Sequence, residues 1–184
     1  HDRLGNIDRG HRDVQAGRSE RVARGAVDAE KRADGADSME DIAFAAAYCR
    51  RQRRVFLCDG DALIVPQVRL MRILETIRTE LPWVTRVGAY ANAKSLKRKS
   101  IEELRELQRI GLGIVYMGLE TGDDETLRRI HKGADAAEMT AMGLKAREAG
   151  FKLSITVLLG IAGPDRTQIH ARETGRVLTA IDPD

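Results

Sequence analysis

Gly113-Ile114-Val115-Tyr116-Met117-Gly118-Leu119-Glu120-Thr121-Gly122-Asp123-Asp124-Glu125-Thr126-Leu127 is the stretch that decides the fold. Residues 113–118 form a short apolar run, which reads as a buried strand. Glycine and carboxylates then break the run. Asp123 opens a short helix to Ile130, because carboxylates suit the positive end of a helix dipole. Strand, glycine-bearing acidic loop and helix in that order make one β/α unit.

The same unit recurs on both sides. Upstream, Val55 to Cys58 reads as a strand that ends in an Asp-Gly loop, and Pro66 suits the first turn of a helix carrying Leu70, Leu74, Ile77 and Leu81. Val84 to Tyr90 is a second strand. Ser100 and Glu103 form a capping box ahead of Ile101, Leu104, Leu107 and Ile110, with Gly111 as the stop. Downstream, a helix runs from Asp135 to Gly150, Lys152 to Leu159 is a fourth strand, and Ile169 to Ile181 is a last helix. Ser38 starts a further helix, with Ile42, Ala45, Ala46 and Cys49 on one face. The alternation predicts an α/β fold with parallel strands and right-handed crossovers. Four units of about 32 residues match the spacing of a TIM-like (β/α) barrel, which needs roughly 250 residues to close. A doubly wound sheet would give the same string, although no G-x-G-x-x-G follows the first strand. Four units are few for either architecture: a barrel of them could not close, and an open four-stranded sheet could stand alone.

Composition narrows the classes. The chain has 184 residues and a net charge of +3, enough for one domain. Residues 1–38 hold eight basic and eight acidic residues and no aromatic, so the N-terminal 1–37 segment is expected to be disordered or aberrant, ahead of a domain at 38–184. That charge balance argues against a nucleic-acid arm, which needs a net basic footprint. With seven aromatics in the chain, extensive base-stacking surfaces are not expected. No apolar run spans a membrane and no signal peptide is evident, so a cytoplasmic location is expected. Two cysteines, Cys49 and Cys58, exclude a disulfide framework and a four-cysteine metal site.

Ligands in parallel α/β folds bind at the carboxyl ends of the strands. Those ends carry Cys58-Asp59-Gly60-Asp61, Ala91-Asn92-Ala93, Gly118 to Asp124, and Gly160-Ile161-Ala162-Gly163-Pro164. Glycine admits close backbone approach, and a carboxylate accepts from ribose hydroxyls or an ammonium group. Gly and Asp also simply make turns, and spacing alone does not choose between the two. Asp123, Asp124 and Glu125 offer oxygen to a hard cation, but the helix-start reading is preferred. Arg50-Arg51-Gln52-Arg53-Arg54 reads as a solvated face, and His131 as a solvated residue at a helix end. No nucleophile with a partner base is in evidence.

Taken in order, Ile114 to Leu127, then Ile130-His131-Lys132-Gly133, Ala149-Gly150-Phe151 and Val157 to Gly163 resemble the radical S-adenosylmethionine superfamily. The Asp59-Gly60-Asp61-Ala62-Leu63 loop does so too. The resemblance covers Ser38 to Asp184. It implies a partial barrel, a small-molecule cofactor (S-adenosylmethionine) and a 4Fe-4S cluster whose electron starts radical chemistry on a substrate the sequence does not identify. By resemblance, Asp59, Gly60 and Asp61 match the family's glycine-glycine-glutamate loop at the methionine ammonium. Glu120, with Thr121 and Gly122 beside it, matches the strand end near the ribose. Leu158 and Gly160 match the strand lining the adenine, and Asn92 stands where a further loop reaches the ligand.

One element of the family pattern is missing. Its C-x-x-x-C-x-x-C cluster loop should precede Ser38, and residues 1–38 hold no cysteine. Cys49 and Cys58 lie nine apart and do not substitute. No catalytic or metal-ligating residue is therefore assigned. The leading expectation is a fragment of a radical S-adenosylmethionine enzyme, inactive as given, with its first residues from a shifted frame. The alternatives are a cluster-free module that binds S-adenosylmethionine or a related nucleoside, and a conventional phosphate-binding α/β enzyme.

Overall fold

A computed structural model describes residues 47, 50–58 and 60–184. The chain divides into two units, residues 1–49 and 50–184, and the fold below is that of the second. The helix expected from Ser38 to Cys49, the 1–37 segment and Asp59 lie outside the described residues.

Four strands form the sheet: β1 (Arg54–Leu57), β2 (Arg86–Ala91), β3 (Leu112–Glu120) and β4 (Lys152–Val157). They lie side by side in the order β1-β2-β3-β4, and every neighbouring pair is parallel. Six α-helices connect or follow them: α1 (Gln67–Glu80), α2 (Ala93–Arg98), α3 (Ile101–Arg109), α4 (Asp124–Arg129), α5 (Ala136–Glu148) and α6 (Thr167–Ile181). Two single 3-10 turns, Ala62–Ile64 and Pro164–Arg166, complete the element list.

The strand order resolves the ambiguity between a barrel and a doubly wound sheet. A doubly wound sheet reverses direction at a switch point and places helices on both faces. Here each crossover steps the same way, so right-handed connections put every helix on one face. Burial agrees. Val87, Ala89 and Ala91 of β2, Val115, Met117 and Leu119 of β3, and Leu153 of β4 are buried with Leu70, Leu74, Leu96, Leu104, Leu107, Met139, Val177 and Ile181 of the helices in one core. The alternate residues, Phe56, Tyr90, Ile114, Tyr116 and Thr156, face the open side and are partly or well exposed. This is the winding of a (β/α) barrel that does not close. Fully burying one core leucine stabilises by about 2 kcal/mol, so the helix-covered face carries the fold.

Several boundaries differ from expectation. β3 runs to Glu120, past Gly118, because Glu120 still pairs with Val157 across a register shift. β4 stops at Val157, and Leu158 and Leu159 are exposed beyond it. Helix α2 is an addition: Asn92 caps it by accepting from Ser95 N at 2.9 Å, while Ser95 Oγ accepts from Asn92 N at 3.3 Å. This reciprocal capping box starts a helix in a segment whose one large apolar side chain is Leu96.

Candidate cofactor-binding site

The carboxyl ends of the four strands bring the residues marked in the sequence into two groups. The first joins the loops after β1 and β2. Asp61 caps the 3-10 turn, its Oδ1 accepting from Leu63 N at 3.2 Å. Ser95, buried at the start of α2, donates from Oγ to the same Asp61 oxygen at 3.0 Å, with the Asn92 carbonyl oxygen as a second acceptor at 3.0 Å. One hydroxyl thus links Asp61 to Asn92. The other Asp61 oxygen, Oδ2, is buried and has no hydrogen-bond partner. Burial pushes the Asp61 carboxyl above its ordinary pKa, against the hydrogen bonds from Ser95 and Leu63 and the nearby polar groups of Asn92. Lys99 is buried nearby, its ammonium donating to Gln67 Oε1 at 3.0 Å and Val65 O at 3.3 Å, and burial lowers its pKa. Gly60, just before Asp61, takes φ +63°, and a side chain there would meet nothing within 4 Å.

The second group joins the ends of β3 and β4. Glu120 has φ +65°, and Thr121 N donates to Leu119 O at 2.8 Å around it, a γ-turn that costs strain in a residue with a Cβ. The turn folds the Glu120 carboxylate back across Gly118, where any side chain would collide with it. Lys132 Nζ pairs with Glu120 Oε1 at 3.0 Å, with both side chains about four-fifths buried. Lys132 is aimed by the end of α4. His131 N donates to Arg128 O, and Lys132 N to Leu127 O, while His131 takes φ +54°. That is the paired closure of a helix C-terminus that usually employs glycine. Leu158 N donates to Glu120 O at 3.0 Å, so Glu120 and Leu158 are neighbours. Gly160, at φ +81°, turns the chain after β4.

Thr121 and Gly122 are placed differently from their neighbour. Thr121 is fully buried, its Oγ1 2.8 Å from His170 Nδ1 and accepting from Asp123 N at 3.0 Å. Gly122 N donates to Thr174 Oγ1 at 2.8 Å, and a Cβ on Gly122 would lie 2.5 Å from the Glu173 carbonyl carbon. Both residues pack the loop onto α6. Asp123 is buried and held by Arg166 at 2.6 and 2.8 Å and by the Thr126 hydroxyl at 2.6 Å. The Arg166 guanidinium holds its carboxyl well below the usual range. Asp124 accepts from Ala136 N, and Glu125 pairs with Arg128 and Arg129. All three acids are therefore engaged by the protein, although Asp123, at the N-cap of α4, makes no side-chain cap hydrogen bond. Among the described residues no group of three His, Cys, Asp or Glu is placed to hold a metal.

Sequence reasoning missed Ser95, Lys132, Arg166 and His170. It also missed three of the seven aromatics gathered on the open sheet face. Phe56 and Tyr90 pack edge to face with ring centroids 4.9 Å apart, and Tyr116 lies 5.5 and 6.2 Å from them. Alternation within each strand was the available signal, because all three sit off the core-facing positions. A cavity of about 630 Å³ lies elsewhere. It opens between α4 and the segment leading to α5, lined by Asp124, Leu127, His131 and Asp135 among others, and Asp124 is the one residue of the marked strand ends that borders it. The basic run also has a local explanation: Arg53 donates to Trp83 O at 3.2 Å, and Arg50 stacks 5.9 Å from the Trp83 ring centroid.

The site geometry tests the two cofactors separately. Asp61, with an unpartnered buried oxygen, and Glu120, folded over a glycine, are acceptors suited to the ammonium and hydroxyl groups of S-adenosylmethionine. The cluster finds no such fit, since two cysteines cannot supply its three thiolates.

Comparison with known proteins agrees with the fold. No curated protein matches by sequence. Among solved structures, coproporphyrinogen III oxidase from Escherichia coli, a radical SAM enzyme, aligns with a TM-score of 0.59 at 18% identity, over 72% of this chain and 30% of that one. Methylornithine synthase gives a TM-score of 0.58 at 17% identity, over 80% and 42%. The cobalamin-dependent S-adenosylmethionine radical enzyme OxsB gives 0.57 at 18%, over 76% and 21%. The chain therefore spans less than half the length of each. The family model described as the radical SAM superfamily matches residues 23–174, beginning upstream of Ser38. With the one-sided parallel sheet and the strand-end carboxylates, a match of that extent shows that the chain belongs to the radical SAM superfamily.

Proposed function

We propose that this chain is the part of a radical S-adenosylmethionine enzyme that binds the methionyl and ribosyl groups of the cofactor, and that it does not catalyse by itself. The observation that carries the reading is Asp61 Oδ2, a buried oxygen without a partner at the end of β1. A carboxylate there accepts from the cofactor's ammonium group. Glu120, oriented by its γ-turn and by Lys132, accepts from ribose hydroxyls, with Leu158 and Gly160 beside it on the adenine side. Asn92 contributes by capping α2 and so fixing Ser95. Thr121 and Gly122 act through the backbone, by anchoring the Glu120 loop on α6. Asp59 belongs with Gly60 and Asp61 by resemblance.

In this family S-adenosylmethionine supplies the carbon–sulfur bond whose reductive cleavage starts radical chemistry. That cleavage needs a 4Fe-4S cluster, and the chain's cysteines do not provide for one. The substrate is a small molecule that meets the open sheet face, where Phe56, Tyr90 and Tyr116 offer an apolar wall. No described helix is long and apolar enough to cross a membrane, and we place the protein in the cytoplasm.

Anaerobic reconstitution with iron and sulfide tests the catalytic half of the reading. The expected result is substoichiometric iron and no cleavage of S-adenosylmethionine. A stoichiometric four-iron cluster overturns it. Titration of the isotopically labelled chain with S-adenosylmethionine, followed by amide chemical shifts, tests the binding half. A Kd on the order of 1 mM is expected, because chelation by the cluster is missing. Micromolar binding would instead support a cluster-free binding module. No saturable shift at Gly60 to Leu63 overturns both.

A further inference from the structure

The marked residues of the first group are joined by one side chain that neither the resemblance nor the strand-end logic singles out. Ser95 is 2% exposed and sits in the first turn of α2. Its hydroxyl donates to Asp61 Oδ1 at 3.0 Å from a position 34 residues away in sequence. Helix capping does not require that bond. The cap is made by the Asn92 side chain and the Ser95 backbone N–H, and the serine oxygen's part in the capping box is as acceptor from Asn92 N.

The bond to Asp61 has a separate consequence. Leu63 N and Ser95 Oγ both donate to Oδ1, so this oxygen carries the structural load. Oδ2 is left buried and unpartnered. A buried acceptor without a donor is unfavourable. Rotation of the carboxylate that would share the donors between the oxygens is opposed by two donors arriving at one of them from different elements. The cost is held in place until a donor reaches Oδ2.

We propose that Ser95 is a positioning residue of the cofactor site, which locks the Asp61 carboxylate so that Oδ2 is presented to the ammonium group of an α-amino-acid moiety. This rests on the reading of Asp61 under the proposed function. Four groups face Asp61: Leu63 N from the 3-10 turn, Ser95 and Asn92 from the start of α2, and the buried ammonium of Lys99 from the segment after α2. Of these, Ser95 and Leu63 make hydrogen bonds to the carboxylate that fix its orientation. Removing the hydroxyl therefore frees the carboxylate to turn. It also removes a bond that favours the ionised form, which alone attracts an ammonium group.

The test compares two probes on the full chain across a pH series. S-adenosylmethionine carries the ammonium group and 5′-methylthioadenosine lacks the amino-acid moiety. The wild type is expected to favour S-adenosylmethionine, with the preference rising as Asp61 ionises. Ser95→Ala should cut that preference about tenfold and move its midpoint to higher pH. It should leave the affinity for 5′-methylthioadenosine within twofold, which also reports a folded chain. Ser95→Thr, which keeps a hydroxyl, should restore the wild-type midpoint. A purely structural role would lower both affinities together and leave the midpoint where it is, and that result overturns the proposal. If Asp61→Asn abolishes the preference while Ser95→Ala retains it at the wild-type midpoint, the Asp61 reading stands and the Ser95 role falls. If the wild type shows no preference, or Asp61→Asn keeps it, the Asp61 reading fails and takes the Ser95 role with it.

Discussion

Two loops of this molecule carry the same two letters, glycine then aspartate, at the ends of strands on one sheet. Gly60-Asp61 follows β1 and Gly122-Asp123 follows β3. Their physics is opposite. Gly60 is required by its backbone, at φ +63°, and has empty space where a side chain would stand. Gly122 is required by its surroundings, because the backbone of α6 occupies the place of its Cβ. Asp61 keeps one oxygen without a donor and has its pKa raised by burial. Asp123 spends both oxygens on Arg166 and Thr126 and has its pKa lowered. The comparison separates a loop with unmet demand from a loop whose demand is met by the protein. A dipeptide does not show which it is.

The largest effect is expected at the satisfied loop. Asp123→Ala leaves the Arg166 guanidinium and the Thr126 hydroxyl without the buried acceptor they share, and the loss is expected to exceed that of the variants below. The pH dependence follows from the depressed pKa. The unfolded carboxyl titrates near 3.9, so the stabilisation is full above about pH 4 and is lost progressively as the pH falls below it. Chemical denaturation of wild type and variant at pH 7 and pH 3 measures this; an equal gap at both would remove the ion pair from the account. Gly122→Ala comes next, at about 3 kcal/mol, because a Cβ 2.6 Å from Thr174 N must push α6 away from the sheet. Thermal unfolding measures the loss. A variant as stable as wild type would mean that α6 does not close on this loop, and the contrast with Gly60 would collapse.

The difference between the two loops also explains how far the sequence could be read. The β/α alternation was legible because each strand is a local apolar run and each long helix a local periodic one. The capping box at Ser100 and Glu103 was legible for the same reason, and it forms as expected. Helix α2 was not, since Ala93 to Arg98 is one short turn-and-a-half with Leu96 as its buried anchor, and its Asn92–Ser95 box was read as loop. Asp61 and Glu120 were marked where a strand end and a resemblance coincide, and the structure places them at the ends of β1 and β3. What stayed hidden is non-local. Asp123 meets Arg166 across 43 residues, Gly122 meets Thr174 across 52, and Ser95 meets Asp61 across 34. No period or spacing encodes those meetings. They exist because neighbouring units of one winding place successive loops at one edge.

Gly60→Ala sharpens the comparison from the other side. Its cost is backbone strain alone, about 1 kcal/mol for a left-handed residue with a Cβ, and no packing penalty adds to it. Chemical denaturation should therefore show roughly a third of the Gly122→Ala loss. A loss as large as that at Gly122 would mean that the β1 loop is packed too, and that its glycine is no mark of an open site.

The smallest effect, and the one with the opposite sign, is expected for Asp61→Asn. A carboxyl whose folded pKa is raised stabilises the fold fully below its unfolded value near 3.9, and that contribution is lost as the pH rises through the folded value. At neutral pH the wild type therefore bears the cost of a buried charge that the amide does not carry, although the amide must leave one N–H unpaired where Oδ2 stood. The stability of Asp61→Asn relative to wild type should rise from pH 4 to pH 7, by less than the Gly60→Ala cost. Over the same interval, Asp123→Asn should show no such rise. Paired denaturation curves at both pH values measure the two slopes. A site kept for a ligand is expected to tolerate an ionised group that folding alone would remove. If the Asp61→Asn slope is flat or reversed, Asp61 is as well satisfied as Asp123, and the β1 loop has no unmet demand to offer a cofactor.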